Sequence, residues 1–365
     1  MGYVRRFTRD DIPQVAQLHE QVFPPGCADS GDGEGYAAYF NGVFLENPAG
    51  NGALHSLVYQ EYDGRILGFL GVVRRRVAIH DCRYEAAVSS QFVVARQAAR
   101  ALVATRLIKA YLDGPQDLSI ADEATDVARR IWEGVGGSTA LLHSLYWTRA
   151  LRPARLALSL ARQRRSLAPF AIVAGPIASA LDALATRLPG GHFRQTEPAV
   201  EAEEFSPETV LAYAPGLYGD GTLWVEYEDR TFQWLLDRAA TRRAGGRVLK
   251  IALRSRLNVV GWYVCYLDPT GHAEVVQLAA TPSSIDDVLD HLFFHAWRHG
   301  AVAVHGRLDP RFIQALSDKY CFIHRRGPWL LVRARRAELL SAFQTGKAAF
   351  SLLDGEWSLR FQRSR

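Results

Sequence analysis

The sequence predicts a mixed α/β fold that occurs twice along the chain. The first observation is an order of elements, strand and helix, antiparallel hairpin, then strand and helix twice, which is typical of a mixed sheet covered by helices. The second is that a similar order returns after Lys250. The third is length, since 365 residues exceed the roughly 100 to 200 that one core usually organises.

The opening elements follow from local signals. A strand at residues 3–7 leads through Thr8, a helix-capping residue, into apolar positions with helical spacing from Ile12 to Val22. Two β-rich runs, residues 56–62 and 65–77, then flank Asp63-Gly64. Because glycine adopts positive φ at little cost, this dipeptide predicts a tight antiparallel hairpin.

The rest of the first half alternates between strands and helices. We expect a strand at 82–94, a helix at 98–112, a strand at 117–121, a helix at 123–135 that ends at Gly136-Gly137, and a strand pair or long strand at 139–151. After Lys250 the pattern repeats, with strands at 250–267 and 273–280, a helix at 284–299, a strand at 301–304 and a helix at 311–320. We therefore expect an N-terminal domain at 1–150, a connector at 151–200 and a C-terminal domain at 201–365.

Composition narrows the class of protein. With 48% hydrophobic and 22% charged residues, the chain is neither disordered nor fibrous by composition. The four cysteines lie far apart and form no CxxC pair, so we expect neither a metal site nor a disulfide framework. No window reaches the ~18 apolar residues of a membrane span, and the N-terminus is polar. We expect a cytoplasmic protein.

The connector concentrates positive charge. Residues 134–181 contain no Asp or Glu, and the arginines there stand among leucines and alanines. Such a stretch suits peripheral docking on the anionic inner face of a membrane, through Arg155, Arg162, Arg164 and Arg165. The alternative is a helix pair that packs its apolar side on the domains and leaves its arginines in solvent. We expect no nucleic-acid binding, because no basic stripe interleaved with aromatic residues accompanies the charge.

Two segments carry a family resemblance. The run Val4-Arg5-Arg6-Phe7-Thr8-Arg9-Asp10-Asp11-Ile12 and the stretch from Asp117 to Gly137 resemble the GNAT acyltransferase superfamily. The two-domain arrangement is similar to tandem GNAT-like proteins, among them peptidoglycan aminoacyl transferases and lipid-linked acyltransferases. The resemblance implies transfer of an acyl group from acyl-CoA or acyl carrier protein to an amine, with no permanently bound cofactor.

The resemblance also implies where the acyl carrier would bind. Gln91, Phe92, Val93 and Val94 would lie beside the thioester. The phosphate turn, Arg/Gln-x-x-Gly-x-Gly/Ala in the family, aligns with Ala99, Arg100, Ala101, Leu102, Val103 and Ala104, and only Ala104 keeps the small residue. In the second half the equivalent place holds Asp286 and Asp287, which disfavour a phosphate, so we expect the first domain to bind the carrier.

A helical segment completes the predicted carrier site. The run from Asp126 to Gly137 resembles the family's Asn-x-x-Ala-x-x-Leu-Tyr-x-x-x-Gly-Phe segment, with Asp126 in place of Asn and Arg129 one turn later. Trp132 stands where a Tyr often protonates the leaving thiolate, and an indole cannot act as that acid.

Proton removal from the amine requires a base. Asp122 and Glu123 are the candidates, because they follow a strand at the end where α/β sheets collect ligands. Their alternative role is to favour the start of the next helix. His143 could reach the same cleft, or be a structural residue between leucines.

Two further polar or aromatic sets have open interpretations. Ser89-Ser90-Gln91 would line the acyl cleft or pair with a loop. The aromatic residues Trp224, Tyr227, Phe232 and Trp234 would form an acceptor groove or belong to a packed helix.

Three functions compete at this point. The first is N-acyl transfer to an amine carried by a lipid or a cell-envelope precursor, of which a ceramide-synthase-like activity is one instance. The second is aminoacyl transfer of the peptidoglycan type, which would not need the glycine-rich phosphate turn. The third is a non-catalytic tandem GNAT scaffold that binds an acylated or polymeric ligand.

Overall fold

The computed structural model describes residues 2–23, 33–50, 52–96, 100–162, 174–187, 191–241, 246–256 and 258–361. Up to residue 144 the elements are β1 (Gly2–Arg6), a 3-10 helix (Arg9–Asp11), α1 (Ile12–Val22), α2 (Gly33–Phe44), β2 (Leu57–Glu61), β3 (Ile66–Ile79), β4 (Cys82–Val94), α3 (Arg100–Leu112), β5 (Leu118–Ala124), α4 (Asp126–Gly134), β6 (Ser138–Thr139) and a 3-10 helix (Leu142–Ser144).

The remaining elements continue in chain order. They are β7 (Tyr146–Ala150), α5 (Pro153–Arg162), α6 (Gly175–Ala185), β8 (Glu201–Glu204), α7 (Pro207–Tyr218), β9 (Leu223–Glu226), α8 (Asp229–Ala240), β10 (Arg247–Ser255), β11 (Asn258–Leu267), β12 (His272–Ala280), α9 (Ile285–Arg298), β13 (Ala303–Arg307), a 3-10 helix (Pro310–Phe312), α10 (Ile313–Asp318), β14 (Phe322–His324), β15 (Trp329–Ala334), α11 (Ala337–Gln344), β16 (Ala348–Ala349) and α12 (Glu356–Leu359).

The chain divides into two compact units that are not consecutive segments. Unit 1 comprises Met1–Ser144, Tyr218–Ala244 and Gly327–Arg365, and unit 2 comprises Leu145–Leu217 and Gly245–Arg326. The boundaries expected from the sequence, at residues 150 and 200, therefore differ from the units of the structure. The reason is that each sheet includes a strand from the other half of the sequence.

Unit 1 is built on a sheet with the order β1-β2-β3-β4-β5-β15-β6. Neighbouring strands on this path are antiparallel except β4 and β5, which run parallel. Two glycines of β3 let helices approach both faces of the sheet: a Cβ at Gly68 would meet Leu107 of α3, and one at Gly71 would meet Phe44 of α2. Since successive strand positions alternate between faces, α2 and α3 cover opposite sides.

Unit 2 repeats this plan. Its sheet has the order β8-β10-β11-β12-β13-β7-β14, and β12 and β13 form its parallel pair. Helix α9 packs on this sheet through Val288, Leu289 and Leu292, which belong to the unit's apolar core. The strand that follows the parallel pair is β15 in unit 1 and β7 in unit 2. The sequence expectation of one strand pair or long strand at 139–151 is thus corrected, because β6 belongs to one sheet and β7 to the other.

Capping residues mark the starts of two helices, and one of these starts differs from the position expected from the sequence. Thr8 starts the first 3-10 helix as expected, and its N–H donates to Asp11 Oδ2 at 2.8 Å. The helix expected from residue 123 begins instead at Asp126. Thr125 caps it by accepting the N–H of Ala128 at 3.2 Å, and Glu123 continues β5.

In the described part of the connector, the helices α5 and α6 pack on each other. Arg155, which the sequence analysis placed toward a membrane, forms an ion pair with Asp182 at 3.1 Å. Arg164 and Arg165 lie outside the described residues. Among the described residues, no helix has the length and apolar character needed to cross a bilayer.

The fork of unit 1 as a candidate active site

The parallel strands of unit 1 separate partway along their length. They pair only where Ala86–Val88 faces Leu118–Ile120. Beyond these pairs β4 continues to Val94 beside β3, and β5 continues to Ala124 beside β15. We call the opening between residues 89–94 and 121–124 the fork. Over these residues β4 and β5 do not pair with each other.

A bulge in β4 turns its backbone at the fork. Ser90 pairs with Gly71 and Val93 with Phe69, so Gln91 and Phe92 together face a single residue of β3. Gln91 has a φ of 54°, an uncommon conformation for a residue with a side chain. Two contacts hold it there: its N–H donates to Glu356 Oε1 at 2.8 Å, and its Oε1 lies 2.6 Å from His19 Nε2.

Glu356 connects the two arms of the fork. Its carboxylate accepts the Gln91 N–H from β4, and its own N–H donates to Asp122 Oδ1 of β5 at 2.7 Å. Asp122 is completely buried. The preceding residue is Gly355, where a Cβ would overlap the Asp122 carboxylate. Only glycine at this position lets the chain pass so close to β5.

The Glu356 carboxyl is tuned toward neutral pH. Burial raises its pKa to about 7, and the nearby negative charge of Asp122 acts in the same direction. The Gln91 N–H and the positive charge of Arg360 oppose this rise. A carboxylate with a pKa near the working pH can take a proton from a reacting amine and later release it.

Glu356 belongs to a strap of residues 354–361, which is anchored at several points. Tyr227 donates to Asp354 Oδ1, and Arg75 Nε donates to the Asp354 carbonyl at 3.0 Å. Arg238 Nε donates to the Ser358 carbonyl at 2.9 Å, and the Phe361 ring stacks on Tyr36 with centroids 4.1 Å apart. Because these anchors come from β3, α2, α8 and the end of β9, the strap has a defined position over the fork.

The predicted catalytic residues occupy three different environments. Asp122 lies in the fork, bonded to the strap. Glu123 is on the strand and forms an ion pair with Arg360 of the strap. His143 lies in the 3-10 helix, with its Nε2 2.8 Å from the Ala348 carbonyl and its ring against Phe343. These contacts with α11 and β16 match the structural interpretation of His143.

The predicted carrier residues at the end of β4 form one arm of the fork. Val93 and Val94 are buried, and Phe92 is half-buried. The stretch aligned with the phosphate turn is helical from Arg100, with Arg100, Ala101 and Leu102 exposed and with Val103 and Ala104 buried. Ala99 lies outside the described residues.

The predicted carrier residues of α4 contact β15. Trp329 Nε1 donates to Asp126 Oδ1 at 2.7 Å, and the Arg129 guanidinium stacks over the Trp329 ring at 4.1 Å. Trp132 is buried, and its Nε1 donates to the Val332 carbonyl at 3.3 Å. These contacts fasten α4 to the sheet. Sequence reasoning could not foresee them, since β15 lies about 200 residues away.

The remaining polar and aromatic sets also have defined places. Ser89 and Ser90 are buried at the start of the fork. The aromatic set does not share one helix, because Trp224 lies in β9 and Phe232 in α8. Tyr227 and Phe232 are buried ring neighbours, which agrees with the core-packing alternative.

Two fork residues, Glu356 and His19, were missed by sequence reasoning. Glu356 is 234 positions from Asp122, and nothing in its local pattern marks it as a base. His19 reads as an ordinary position of an amphipathic helix. The strap's Asp354-Gly355-Glu356 run was the available signal, since a glycine between two acids predicts close backbone approach only when the partner strand is known.

Unit 2 has a fork of the same kind with different residues. Its parallel pairing covers His272–Val275 and Ala303–Gly306 and then stops. At the position of Asp122, two residues beyond the last pair, stands Leu308, which is buried in the apolar core. The start of α9 is occupied by Ser284, whose hydroxyl accepts the Thr281 N–H at 3.0 Å and donates to the Val260 carbonyl.

Comparisons with known proteins agree with this architecture. No family model and no curated protein sequence matches the chain. A conserved protein of unknown function from Enterococcus faecalis V583, described as a probable N-acyltransferase, matches with a TM-score of 0.56 at 11% identity, over 92% of this chain and 72% of its own. Two GCN5-related N-acetyltransferases, from Anabaena variabilis ATCC 29413 and Kribbella flavida, give TM-scores of 0.57 and 0.53 at 12% and 13% identity.

These two matches cover 92% of this chain and 73% and 71% of the neighbours. At such identities the likeness establishes the fold. The chain therefore has the GNAT N-acetyltransferase fold that the sequence predicted, and the match extends over both of its units. Within this fold, the fork of unit 1 brings together the buried Asp122 and the half-buried Glu356.

Proposed function

We propose that the chain is an N-acyltransferase whose reaction takes place in the fork of unit 1. The observation that carries this proposal is Glu356, a buried carboxyl with a pKa of about 7 that bridges the two arms of the fork. In this scheme the acyl thioester lies at the fork and the acceptor amine approaches from the strap side.

In the proposed reaction, Glu356 accepts the proton that the amine loses. The amine nitrogen attacks the thioester carbonyl, the C–N bond forms, and the proton leaves the nitrogen for the Glu356 carboxylate. The C–S bond then breaks, and the thiolate takes up a proton from the Glu356 carboxyl or from water. Asp122 is a positioning residue, because its carboxylate holds the Glu356 backbone.

The donor is acyl-CoA or acyl carrier protein, both of which present a thioester on a pantetheine arm. The arm would enter on the side of α3 and α4, opposite to the strap. Arg96 and Arg100 are exposed at the entrance to α3 and would supply positive charge to a diphosphate in place of glycine amides. No permanently bound cofactor takes part in this scheme.

The acceptor side is lined by aromatic groups of α1, α2 and the strap. His19 and Tyr36 lie with ring centroids 5.5 Å apart, and Phe361 stacks on Tyr36. His19 and Tyr36 are buried, so an amine with an apolar body would pack on the half-buried Phe361 ring, at the edge of this aromatic cluster. We propose an amine carried by a lipid or a cell-envelope precursor, of which a ceramide-synthase-like reaction is one form.

A thermal-shift and transfer assay tests the donor class. Acetyl-CoA, a long-chain acyl-CoA and a long-chain acyl carrier protein are compared for stabilisation of the full chain and for thiol release with a panel of amines. Stabilisation by long-chain donors only supports lipid acylation. No stabilisation and no thiol release with any donor would contradict N-acyl transfer from these carriers and favour a binding scaffold.

Aminoacyl transfer of the peptidoglycan type is the second candidate. The observation in its favour is that residues 100–104 form the first turn of a helix without glycine, where a CoA diphosphate would otherwise meet a glycine-rich turn. Transfer from an aminoacyl-tRNA, with no thiol released from any acyl thioester, would select this function.

A further inference from the structure

Helix α6 of unit 2 has its apolar and charged residues on the opposite sides from those expected of a surface helix. Its sequence contains one ionisable residue, Asp182, which is 2% exposed. Its large apolar side chains Ile177, Leu181 and Leu184 are 65%, 54% and 61% exposed. They recur at helical spacing, so they form one face. Surface helices of globular proteins normally show the reverse pattern.

The buried charge has a structural explanation. Asp182 accepts the N–H groups of Ala154 and Arg155 at 2.8 and 3.1 Å, at the start of α5, and also pairs with the Arg155 guanidinium. Asp182 therefore caps the neighbouring helix and fixes the rotation of α6. With Ala178 and Asp182 facing inward, the isoleucine and the two leucines have to face outward.

The sequence around this helix is rich in positive charge. Between Glu133 and Glu197 the sequence contains eight arginines and a single acid, Asp182, and that acid is neutralised by Arg155. Arg162 at the end of α5 and Arg187 after the end of α6 are both exposed, as is Leu160 on α5. An apolar face on a helix with the exposed cations Arg162 and Arg187 near it in the sequence fits an anionic surface.

We propose that the α6 face, Ile177, Leu181 and Leu184, docks into the interface of an anionic lipid bilayer, with Arg162 and Arg187 contacting lipid headgroups. An apolar helix face of this kind lies in the plane of the interface, and the basic margin adds electrostatic attraction. This membrane contact differs from the one expected from the sequence, because Arg155 pairs with Asp182 and is therefore not among the residues that contact lipid. This docking does not depend on the acyl-transfer chemistry of unit 1.

Vesicle co-sedimentation of the full chain tests the docking. Vesicles of phosphatidylcholine with phosphatidylglycerol are compared with vesicles of phosphatidylcholine alone. We expect the protein to bind the anionic vesicles and the binding to weaken with added salt. The variant Ile177→Ser/Leu181→Ser/Leu184→Ser should lower the partition coefficient by roughly tenfold or more.

Matched controls separate the face from general hydrophobicity and charge. Val127→Ser/Leu141→Ser removes two apolar side chains of similar exposure from unit 1 and should leave binding unchanged. Arg162→Gln/Arg187→Gln should weaken binding to anionic vesicles only, whereas Arg230→Gln on α8 should not. Unaltered melting temperatures would show that each variant is folded.

Two outcomes would overturn the docking. The first is equal binding of the triple serine variant and the native chain. The second is no vesicle binding together with self-association that the triple variant abolishes in analytical ultracentrifugation, which would make a second copy the occupant of the face. Acyl transfer to a water-soluble amine should be the same in the triple serine variant and in the native chain, so failure of docking and failure of the transferase proposal are distinguishable.

Discussion

The forks of unit 1 and unit 2 share a backbone plan and differ in what fills them. In unit 1 the position two residues beyond the last parallel pair is Asp122, which binds a strap that carries Glu356. In unit 2 the same position is Leu308, and it belongs to the apolar core. The parallel pairing thus stops partway in both units, and the position beyond it holds a carboxylate bonded to the strap in unit 1 and a core leucine in unit 2.

The two units also differ in the helix that follows the first strand of each parallel pair, α3 in unit 1 and α9 in unit 2. In unit 2 the Ser284 hydroxyl already bonds the Thr281 N–H at the start of α9, and Asp286 and Asp287 lie in the first turn. These groups compete with an anion for the helix N-terminus. In unit 1 the corresponding helix begins with the exposed cation Arg100. We therefore expect chemistry in unit 1 and a supporting role for unit 2.

The largest effect is expected from replacing the carboxylate of the unit 1 fork, compared with a carboxylate beside the unit 2 fork. Glu356→Gln should lower kcat by roughly 10²- to 10⁴-fold, since the amide cannot accept the proton of the amine. Asp309→Asn is the matched change beside the fork of unit 2, where Asp309 pairs with Arg311, and should leave kcat within about twofold. Thiol release under saturating donor measures both variants. Equal losses would show that the forks do not differ in the way described.

A smaller effect is expected from the glycine that lets the strap approach β5. Gly355→Ala places a methyl group onto the Asp122 carboxylate, so the strap must shift. We expect a loss of about 1–3 kcal/mol in the free energy of unfolding, together with lower activity. The control is Gly134→Ala on α4, where no atom lies within 4 Å of the added carbon. Denaturant titration compares the two, and equal stability would contradict the close approach.

The smallest effect concerns Trp132, which the sequence placed at the position of a leaving-group acid. Trp132→Phe removes its hydrogen bond to the Val332 carbonyl and should cost about 1 kcal/mol or slightly more in the free energy of unfolding. The rate of acyl transfer should stay within about twofold. If the variant kept its stability and lost activity, Trp132 would act in the reaction instead of holding α4 to β15.

Local patterns were sufficient for most elements of both units. The Asp63-Gly64 hairpin and the apolar run of β4 depend on neighbours in sequence, and β4 has the bounds expected for it. The exchange of β7 and β15 depends on pairing across the whole chain. No local pattern distinguishes a strand that pairs within its own half from one that does not.

The candidate site also combines residues with a local sequence signal and residues whose role depends on distant parts of the chain. Asp122 was a candidate because the expected strand ended at residue 121, whereas β5 extends to Ala124 and includes Asp122. Glu356 was not, since its pKa and its contact with Gln91 arise only when the strap folds over the fork. Trp132 was assigned to a carrier site from its resemblance to a family segment, and its contact with Val332, 200 residues away, has no local signal.

The pH dependence of kcat/KM tests the central claim most directly. Because Glu356 must be deprotonated to act as a base, kcat/KM should show a limb of about tenfold per pH unit below pH 7, in addition to the change due to the acceptor amine itself. Glu356→Gln should lose this limb and keep only the change due to the acceptor amine itself. The same limb near pH 7 in both proteins would contradict the assignment of Glu356 as the base of the fork.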